Sequence, residues 1–146
     1  MNHGKLVLKN LVINTVVGLL SEPVVGKVAR SRNRFILLLN DRLQEVKEAH
    51  MALLKKYGDL SDKGELQIDE ENGTYKMKDK DAFEKEFDAL MEQVLEIPCR
   101  AEQLVDFQCV HNMLANLDTK LTVAQTTIYE EIMSAFEAWS NAISHE

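Results

Sequence analysis

The segment "ELQIDEENGTYKMK", residues 65–78, decides the fold class, because it predicts a β-hairpin in a chain whose longest periodic segments are helical. Asn72 and Gly73 stand at its centre, and both tolerate the positive φ that a two-residue type I′ turn requires. In that register Ile68 lies opposite Met77, so the alternating side chains give the hairpin one inward and one outward face. The chain therefore combines strands with helices.

The segments that flank the hairpin predict helices. Upstream, apolar residues recur at helical spacing from about Val25 to Tyr57, and Gly58 suits the C′ position that ends such a helix. Downstream, Asp79 or Asp81 can cap a short helix. A long helix, a hairpin and a short helix therefore follow one another in the middle of the chain.

The two ends of the chain add further strands and helices. The segment "KLVLKN" (5–10) alternates like a strand and precedes an apolar helix that Asn10 can cap. A second strand is predicted for "VLEIPC" (94–99), and the helix predicted for 101–117 carries apolar residues on two sides. A capping box at Thr122–Gln125 opens the last helix.

Together these elements predict an α+β protein, in which about five helices pack with a small, largely antiparallel sheet containing the hairpin at 65–78. A chain of 146 residues fits a single domain, 1–146. Its apolar segment "LVINTVVGLL" has ten residues, too few to span a bilayer, and no cleavage-site pattern follows it. The two cysteines, Cys99 and Cys109, are too few for a disulfide framework and are expected to be reduced. We therefore expect a cytosolic protein that does not contact membranes.

Charge is distributed unevenly along the chain. The formal net charge is -7, yet residues 1–57 hold ten Lys and Arg against four Asp and Glu, while residues 58–96 hold five against thirteen. Such asymmetry favours a surface for an anionic ligand or an acidic partner, or head-to-tail packing of basic and acidic surfaces between subunits. It is equally consistent with internal complementarity, in which the N-terminal third docks on the acidic middle.

The positive charge is densest in "GKVARSRNRF" (26–35). Lys27, Arg30 and Arg34 lie within about 60° of one another on a helical wheel, opposite the apolar stripe, and so predict one exposed basic ridge. Cations in the first turns of a helix oppose its macrodipole, and the free N–H groups there receive phosphate well. The ridge is therefore a candidate site for an anion or an acidic partner, unless it is a solvated face neutralised by the same chain.

Arg32 differs from the ridge because it falls inside the apolar stripe of the same helix. An unpaired charge there is costly, so three placements are open. Its stem can pack while the guanidinium reaches the rim, it can pair with a carboxylate, or it can face a pocket. The candidate anion- or partner-binding residues are Lys27, Arg30, Arg32 and Arg34.

No enzyme signature is present in the sequence. It lacks a Gly-rich phosphate loop and the motifs HExxH, GxSxG and CxxC, so no catalytic residue, cofactor or metal ligand is predicted. The acidic run around the hairpin lacks the spacing of a calcium loop. His50 and His111 lie on apolar stripes and are expected to be core histidines. A pI near 5.1 argues against a sequence-specific nucleic-acid reader.

The order of segments resembles a family of small proteins of unknown function from tailed bacteriophages and prophages of Gram-positive bacteria. The segments that carry the resemblance span nearly the whole chain: "KLVLKN", "GKVARSRNRFILLL", "KKYGDLSDKGELQ", "GTYKMKDKDAFEKEF", "VLEIPC" and "SAFEAW". The resemblance implies a phage gene, a host cytoplasm and no enzymatic activity. It transfers no site residue, because the family has no known site.

Two classes of function follow. In the first, a phage-encoded binding protein antagonises a host defence, either by sequestering an anionic, nucleotide-like ligand or by binding a defence protein. In the second, the chain is a structural component of the virion or of tail morphogenesis. A homo-oligomer, most simply a dimer, is expected in either class, because a helix with two apolar sides at 101–117 is hard to bury within one domain.

Overall fold

The computed structural model describes residues 2–144. It confirms an α+β protein with five α-helices and two antiparallel strand pairs. In chain order the elements are β1 (Asn2–Lys9), α1 (Asn10–Leu19), α2 (Gly26–Tyr57), β2 (Ile68–Asp69), β3 (Thr74–Tyr75), α3 (Lys80–Glu92), β4 (Val94–Arg100), a 3₁₀ turn (Ala101–Gln103), α4 (Leu104–Ala115) and α5 (Val123–Ser144).

The described chain forms two compact units. The first contains the residues up to Leu43 together with those from Val94 onward, and the second is Gln44–Gln93. Helix α2 passes from the first unit into the second. The assignment of all 146 residues to a single domain stays a prediction.

The first unit contains the main core. Strands β1 and β4 pair antiparallel with Leu6 opposite Ile97, and alternation buries these two residues while Val7 and Glu96 face outward. Helices α2, α4 and α5 add aromatic side chains to this core: Phe35, Phe107, Phe136 and Trp139. The rings of Phe35 and Phe107 meet edge to face with their centroids 5.3 Å apart, which fixes α2 against α4.

A bulge in β1 contacts helix α5. The register with β4 shifts between Asn2 and Lys5, and Gly4 lies there with a φ of 68°. The indole N–H of Trp139 donates to the backbone carbonyl of His3 at 2.9 Å. A Cβ on Gly4 would lie 3.1 Å from Cγ2 of Ile143, so glycine satisfies both the backbone angle and the close approach of α5.

Capping at the helix starts follows the predictions except at α1. The Asp79 side chain accepts from the Ala82 N–H at 3.1 Å, and Thr122 and Gln125 form the predicted reciprocal capping box. Asn10 was the predicted cap of α1. Instead it is the first helical residue and is buried, while Lys9 occupies the N-cap position and its side chain does not cap the helix.

The hairpin of the second unit exists, but its predicted register is wrong. Ile68 lies opposite Tyr75 rather than Met77, so the loop has four residues, and only Gly73 among them has positive φ. The Asp69 carboxylate sets this longer loop, because its two oxygens accept from the Glu71 N–H and the Asn72 side-chain amide.

The shifted register leaves Met77 to pair with Gly58, just after α2. Gly58 does end the helix, yet it does not adopt the left-handed conformation expected of a C′ glycine. Its role is spatial, because a Cβ there would collide with the Leu54 carbonyl oxygen and would lie 2.7 Å from Cδ2 of Leu66. The α2 C-terminus is therefore packed tightly against the loop that follows.

The predicted helix 101–117 is shorter than expected and less apolar on its second side. It begins as the 3₁₀ turn and continues as α4, which ends at Ala115. Phe107, Val110 and Leu114 are buried in the core, whereas Val105 on the second side is 62% exposed. The oligomer expected from two apolar sides stays a prediction.

Candidate functional site

The four basic residues predicted as a site all lie in the first turns of α2, but the structure divides them into two pairs. Arg32 and Arg34 hydrogen-bond to other parts of the first unit. Lys27 and Arg30 are exposed and, within residues 2–144, have no hydrogen-bond or ion-pair partner. The predicted ridge is therefore only partly available to a ligand.

Arg34 forms a two-pronged ion pair with Asp106 of α4. Its Nε donates to Oδ2 at 2.9 Å and its Nη2 donates to Oδ1 at 2.8 Å. The Asp106 side chain is only 5% exposed, whereas that of Arg34 is 51% exposed. Nη2 also donates to the hydroxyl of buried Ser31 at 3.3 Å. The two parallel hydrogen bonds satisfy a carboxylate that is buried away from water. Arg34 therefore stabilises the contact between α2 and α4.

The electrostatics agree with that role. Hydrogen bonding to Asp106 raises the pKa of Arg34 above its ordinary value, which keeps the guanidinium charged at every pH of interest. The acid that neutralises it lies on α4, outside the acidic segment 58–96 on which the N-terminal third was expected to dock.

The sequence analysis did not identify Asp106 as a site residue. The only available signal was an acidic residue directly beside the buried stripe of a strongly apolar helix.

Arg32 caps the end of α1. Its Nη1 donates to the Glu22 carbonyl at 2.7 Å and to the Leu20 carbonyl at 3.3 Å, and its Nε donates to the Asn33 side chain at 3.2 Å. These carbonyls carry the partial negative charge at and after a helix C-terminus, which a guanidinium stabilises. Arg32 therefore neither pairs with a carboxylate among the described residues nor lines a cavity described below, and its half-buried side chain with an exposed bond to the Glu22 carbonyl is consistent with the placement at the rim.

Lys27 and Arg30, together with Val25 directly before α2, form a surface that we call the basic start. Val25 is 72% exposed, and the first turn of α2 contains no acidic residue. The unbonded N–H groups of that turn add partial positive charge to the two cations. The start of α2 therefore exposes one apolar side chain and two cations to solvent.

The cavities described next lie away from the basic start. The first unit contains an open groove of about 620 Å³ between β1 and α5, which we call the β1–α5 groove. A shallower depression of about 260 Å³ lies beside His111 and Ser140 of the same unit. The second unit has a cleft of about 810 Å³ beside its hairpin. None of the four predicted basic residues lines any of the three.

The two histidines expected in the core lie against aromatic rings. His111 stacks on Phe136 with centroids 5.4 Å apart, and His50 lies 5.0 Å from Phe87. Within the described residues, no group of three or more His, Cys, Asp or Glu side chains could hold a metal ion. None of the helices in residues 2–144 combines the length and apolar character needed to cross a bilayer.

Comparison with protein-family models, with curated proteins and with solved structures finds no match to this chain. The resemblance to a phage protein family therefore stays a prediction, and the assignment of function depends on the surfaces described above.

Proposed function

We propose that the chain is a non-enzymatic, phage-encoded binding protein that acts in the host cytoplasm and antagonises a host defence by binding an acidic surface of a defence protein. The phage context comes from the sequence resemblance. The contact surface is inferred from the first unit, where Lys27 and Arg30 are the residues of the predicted ridge that have no hydrogen-bond or ion-pair partner within residues 2–144.

The observation that carries the proposal is the contrast between neighbouring cations on one helix. Arg34 and Arg32 each satisfy groups of the same unit, so their positive charge is explained by folding. Lys27 and Arg30 satisfy none among the described residues, and cations at a helix start disfavour the helix. Charge kept at a position where it lowers stability supports a role in binding.

A protein partner fits the basic start better than a small anionic ligand. Neither cation lines a cavity described above, and ligand sites usually enclose most of a small molecule. Exposed Val25, which directly precedes α2, supplies apolar area of the kind that protein interfaces bury. An anionic, nucleotide-like ligand is therefore the alternative, and the experiment below distinguishes it from a protein partner.

The test is an infection assay with a phage that carries this gene. Deletion of the gene should lower plaque formation on a host with the relevant defence system, and the wild-type gene supplied in trans should restore it. The double substitution Lys27→Glu with Arg30→Glu should fail to restore it. The matched control is Lys47→Glu with Lys63→Glu, two exposed lysines of the second unit whose reversal changes the net charge equally.

Other results would overturn the proposal. If the Lys27→Glu/Arg30→Glu variant restores plaque formation as well as the control, the basic start is not the contact surface. If calorimetry detects nucleotide binding that this variant loses, the ligand is a small anion. If deletion yields defective particles on every host and purified virions contain the protein, its role is in assembly.

A further inference from the structure

The β1–α5 groove is the most apolar concave surface described in the first unit. Its walls include Val7, Val12, Val94 and Ala135, and it lies between the start of α1 and the middle of α5. Val7 and Val94 are 39% and 47% exposed. A partner that covered these apolar side chains would remove them from water, which is favourable.

The rim of the groove is acidic. Glu130 and Glu131 of α5 line it, are exposed, and have no hydrogen-bond or ion-pair partner within residues 2–144. Lys9 also lines the groove, but it is half-buried and has an interaction of its own within the chain. The groove therefore suits an occupant that brings apolar side chains and positive charge together.

We infer that the occupant is a second copy of this chain, whose basic start docks in the groove with Val25 among the apolar walls and Lys27 and Arg30 against Glu130 and Glu131. This inference rests on the proposed function, because it names one acidic surface that the basic start recognises. Within residues 2–144, Lys27 and Arg30 on one surface and Glu130 and Glu131 on the other have no hydrogen-bond or ion-pair partner, and each surface includes an exposed valine. The complementarity therefore includes both charge and apolar area.

The positions of the two surfaces make the contact intermolecular. The groove lies at the N-terminal end of α1, where Lys9 and Val12 line it. The start of α2 is fixed near the other end of α1 by the bonds from Arg32 to the carbonyls of Leu20 and Glu22. Ten residues of helix separate these ends by about 15 Å, so one chain does not fill its own groove.

Such a contact joins unlike surfaces, so it is head-to-tail and leads either to a closed ring or to a growing chain. Each docked copy also has its basic start covered. Self-association therefore competes with the acidic host partner for the same residues. The contact is small and charged, and its strength should depend on protein concentration and fall at high salt.

Sedimentation velocity over a range of micromolar concentrations tests the inference. The sedimentation coefficient of the wild type should rise with concentration at low salt and fall at high salt. Lys27→Glu/Arg30→Glu and Glu130→Lys/Glu131→Lys should each weaken association at least about tenfold, because both lose the close charge pairs. Glu70→Lys/Glu71→Lys, an adjacent exposed pair in the hairpin loop, is the matched control and should associate like the wild type.

Mixing the two impaired variants gives the decisive result. Each variant alone repels itself, with Glu facing Glu in one and Lys facing Lys in the other. In the mixture, the unchanged basic start of the groove variant meets the unchanged groove of the other variant, and the reversed start meets the reversed groove with the charges exchanged. The mixture should therefore associate although neither variant does so alone, with the two variants alternating. A variant that carries all four reversals should associate again.

Three results would overturn the inference: a wild type that is monomeric throughout, a mixture that stays monomeric, or a dimer that both variants leave intact. Circular dichroism of each variant excludes unfolding, and Val25→Ser provides a variant without charge change that should also weaken association. The infection assay is read separately. Loss of plaque restoration with a monomeric wild type overturns only this inference, whereas head-to-tail association with unchanged restoration overturns only the proposed function.

Discussion

At the scale of single residues, the buried carboxylate of Asp106 explains why one arginine of the ridge cannot be exchanged freely. Removing Arg34 leaves that carboxylate in the protein interior without its guanidinium, which is far less favourable than losing an exposed ion pair. Arg30, one helical turn away, has no such partner among the described residues. Two arginines of the same ridge therefore differ in what their loss does to folding.

Arg34→Met should lower the free energy of unfolding clearly, whereas Arg30→Met should change it by no more than about 0.5 kcal/mol, as is usual for exposed sites. Chemical denaturation of both variants measures the difference. The double variant Arg34→Met/Asp106→Leu should be less destabilised than the sum of its single variants, because no buried charge remains. Additive effects would show that the pair contributes nothing to stability.

Cys99 gives a prediction about pH. It is fully buried on β4, and burial, with smaller contributions from Asp106 and Glu102, raises the pKa of its thiol from 9.0 to about 11. Below pH 9 the thiol is neutral in both the folded and the unfolded chain. Between pH 9 and 11 the unfolded chain loses this proton while the folded chain keeps it, so stability falls as the pH rises.

The measurement compares urea unfolding of the wild type and Cys99→Ala at several pH values between 8 and 11. The difference in their free energies of unfolding should shrink across that window, because only the wild type has the buried thiol. Cys109→Ala is the control for the loss of a thiol and should follow the wild type. A constant difference between the wild type and Cys99→Ala would contradict the prediction.

At the scale of elements, local signals predicted most of the structure. Patterns within a few neighbouring residues predict the hairpin, the long helix and strands β1 and β4. They also predict two of the three proposed N-caps correctly. The hairpin register was wrong because Asp69 bonds two groups of the loop and because Gly58 pairs with Met77. The second cause lies outside the hairpin, so no pattern within it could reveal the register.

The bulge of β1 gives a prediction about an element. Gly4→Ala should destabilise the protein by about 1–2 kcal/mol from the positive φ alone, and the approach of Ile143 adds to this cost. The same substitution at Gly18, an exposed position of α1 with open space around it, should stabilise by roughly 0.5–1 kcal/mol. Thermal unfolding of the two variants should therefore shift in opposite directions, and a shift of Gly4→Ala to higher temperature would contradict the role of the bulge.

At the scale of the whole molecule, the candidate site could be predicted only in part. Helical spacing identifies Lys27, Arg30 and Arg34 as one ridge, because that property depends on neighbours along the chain. The pairing of Arg34 with Asp106 joins residues 72 positions apart and depends on how α2 packs against α4. A single sequence does not specify that packing, so it could not separate the structural arginine from the available one.

The two compact units lead to a prediction about unfolding. The core of the first unit contains nearly all the buried apolar side chains, whereas Leu54 is the one buried hydrophobic residue among the described residues of Gln44–Gln93. Since local stability follows buried apolar contact, amide hydrogens of α3 should exchange through openings of lower free energy than those of α4 and α5. Hydrogen exchange followed by mass spectrometry, in a series of low denaturant concentrations, measures these free energies segment by segment.

Leu54→Ala sharpens the measurement, because it removes the main apolar anchor of the second unit while every side chain of the first-unit core is unchanged. Exchange in α3 should accelerate in this variant, and exchange in α4 and α5 should stay as in the wild type. If instead all segments of the wild type exchange with one common free energy, and Leu54→Ala lowers it everywhere, the chain unfolds as the single cooperative domain that its length predicts. Divergent responses would show that the two units open separately, since a cooperative unit transmits the loss of one buried contact to all of its amides.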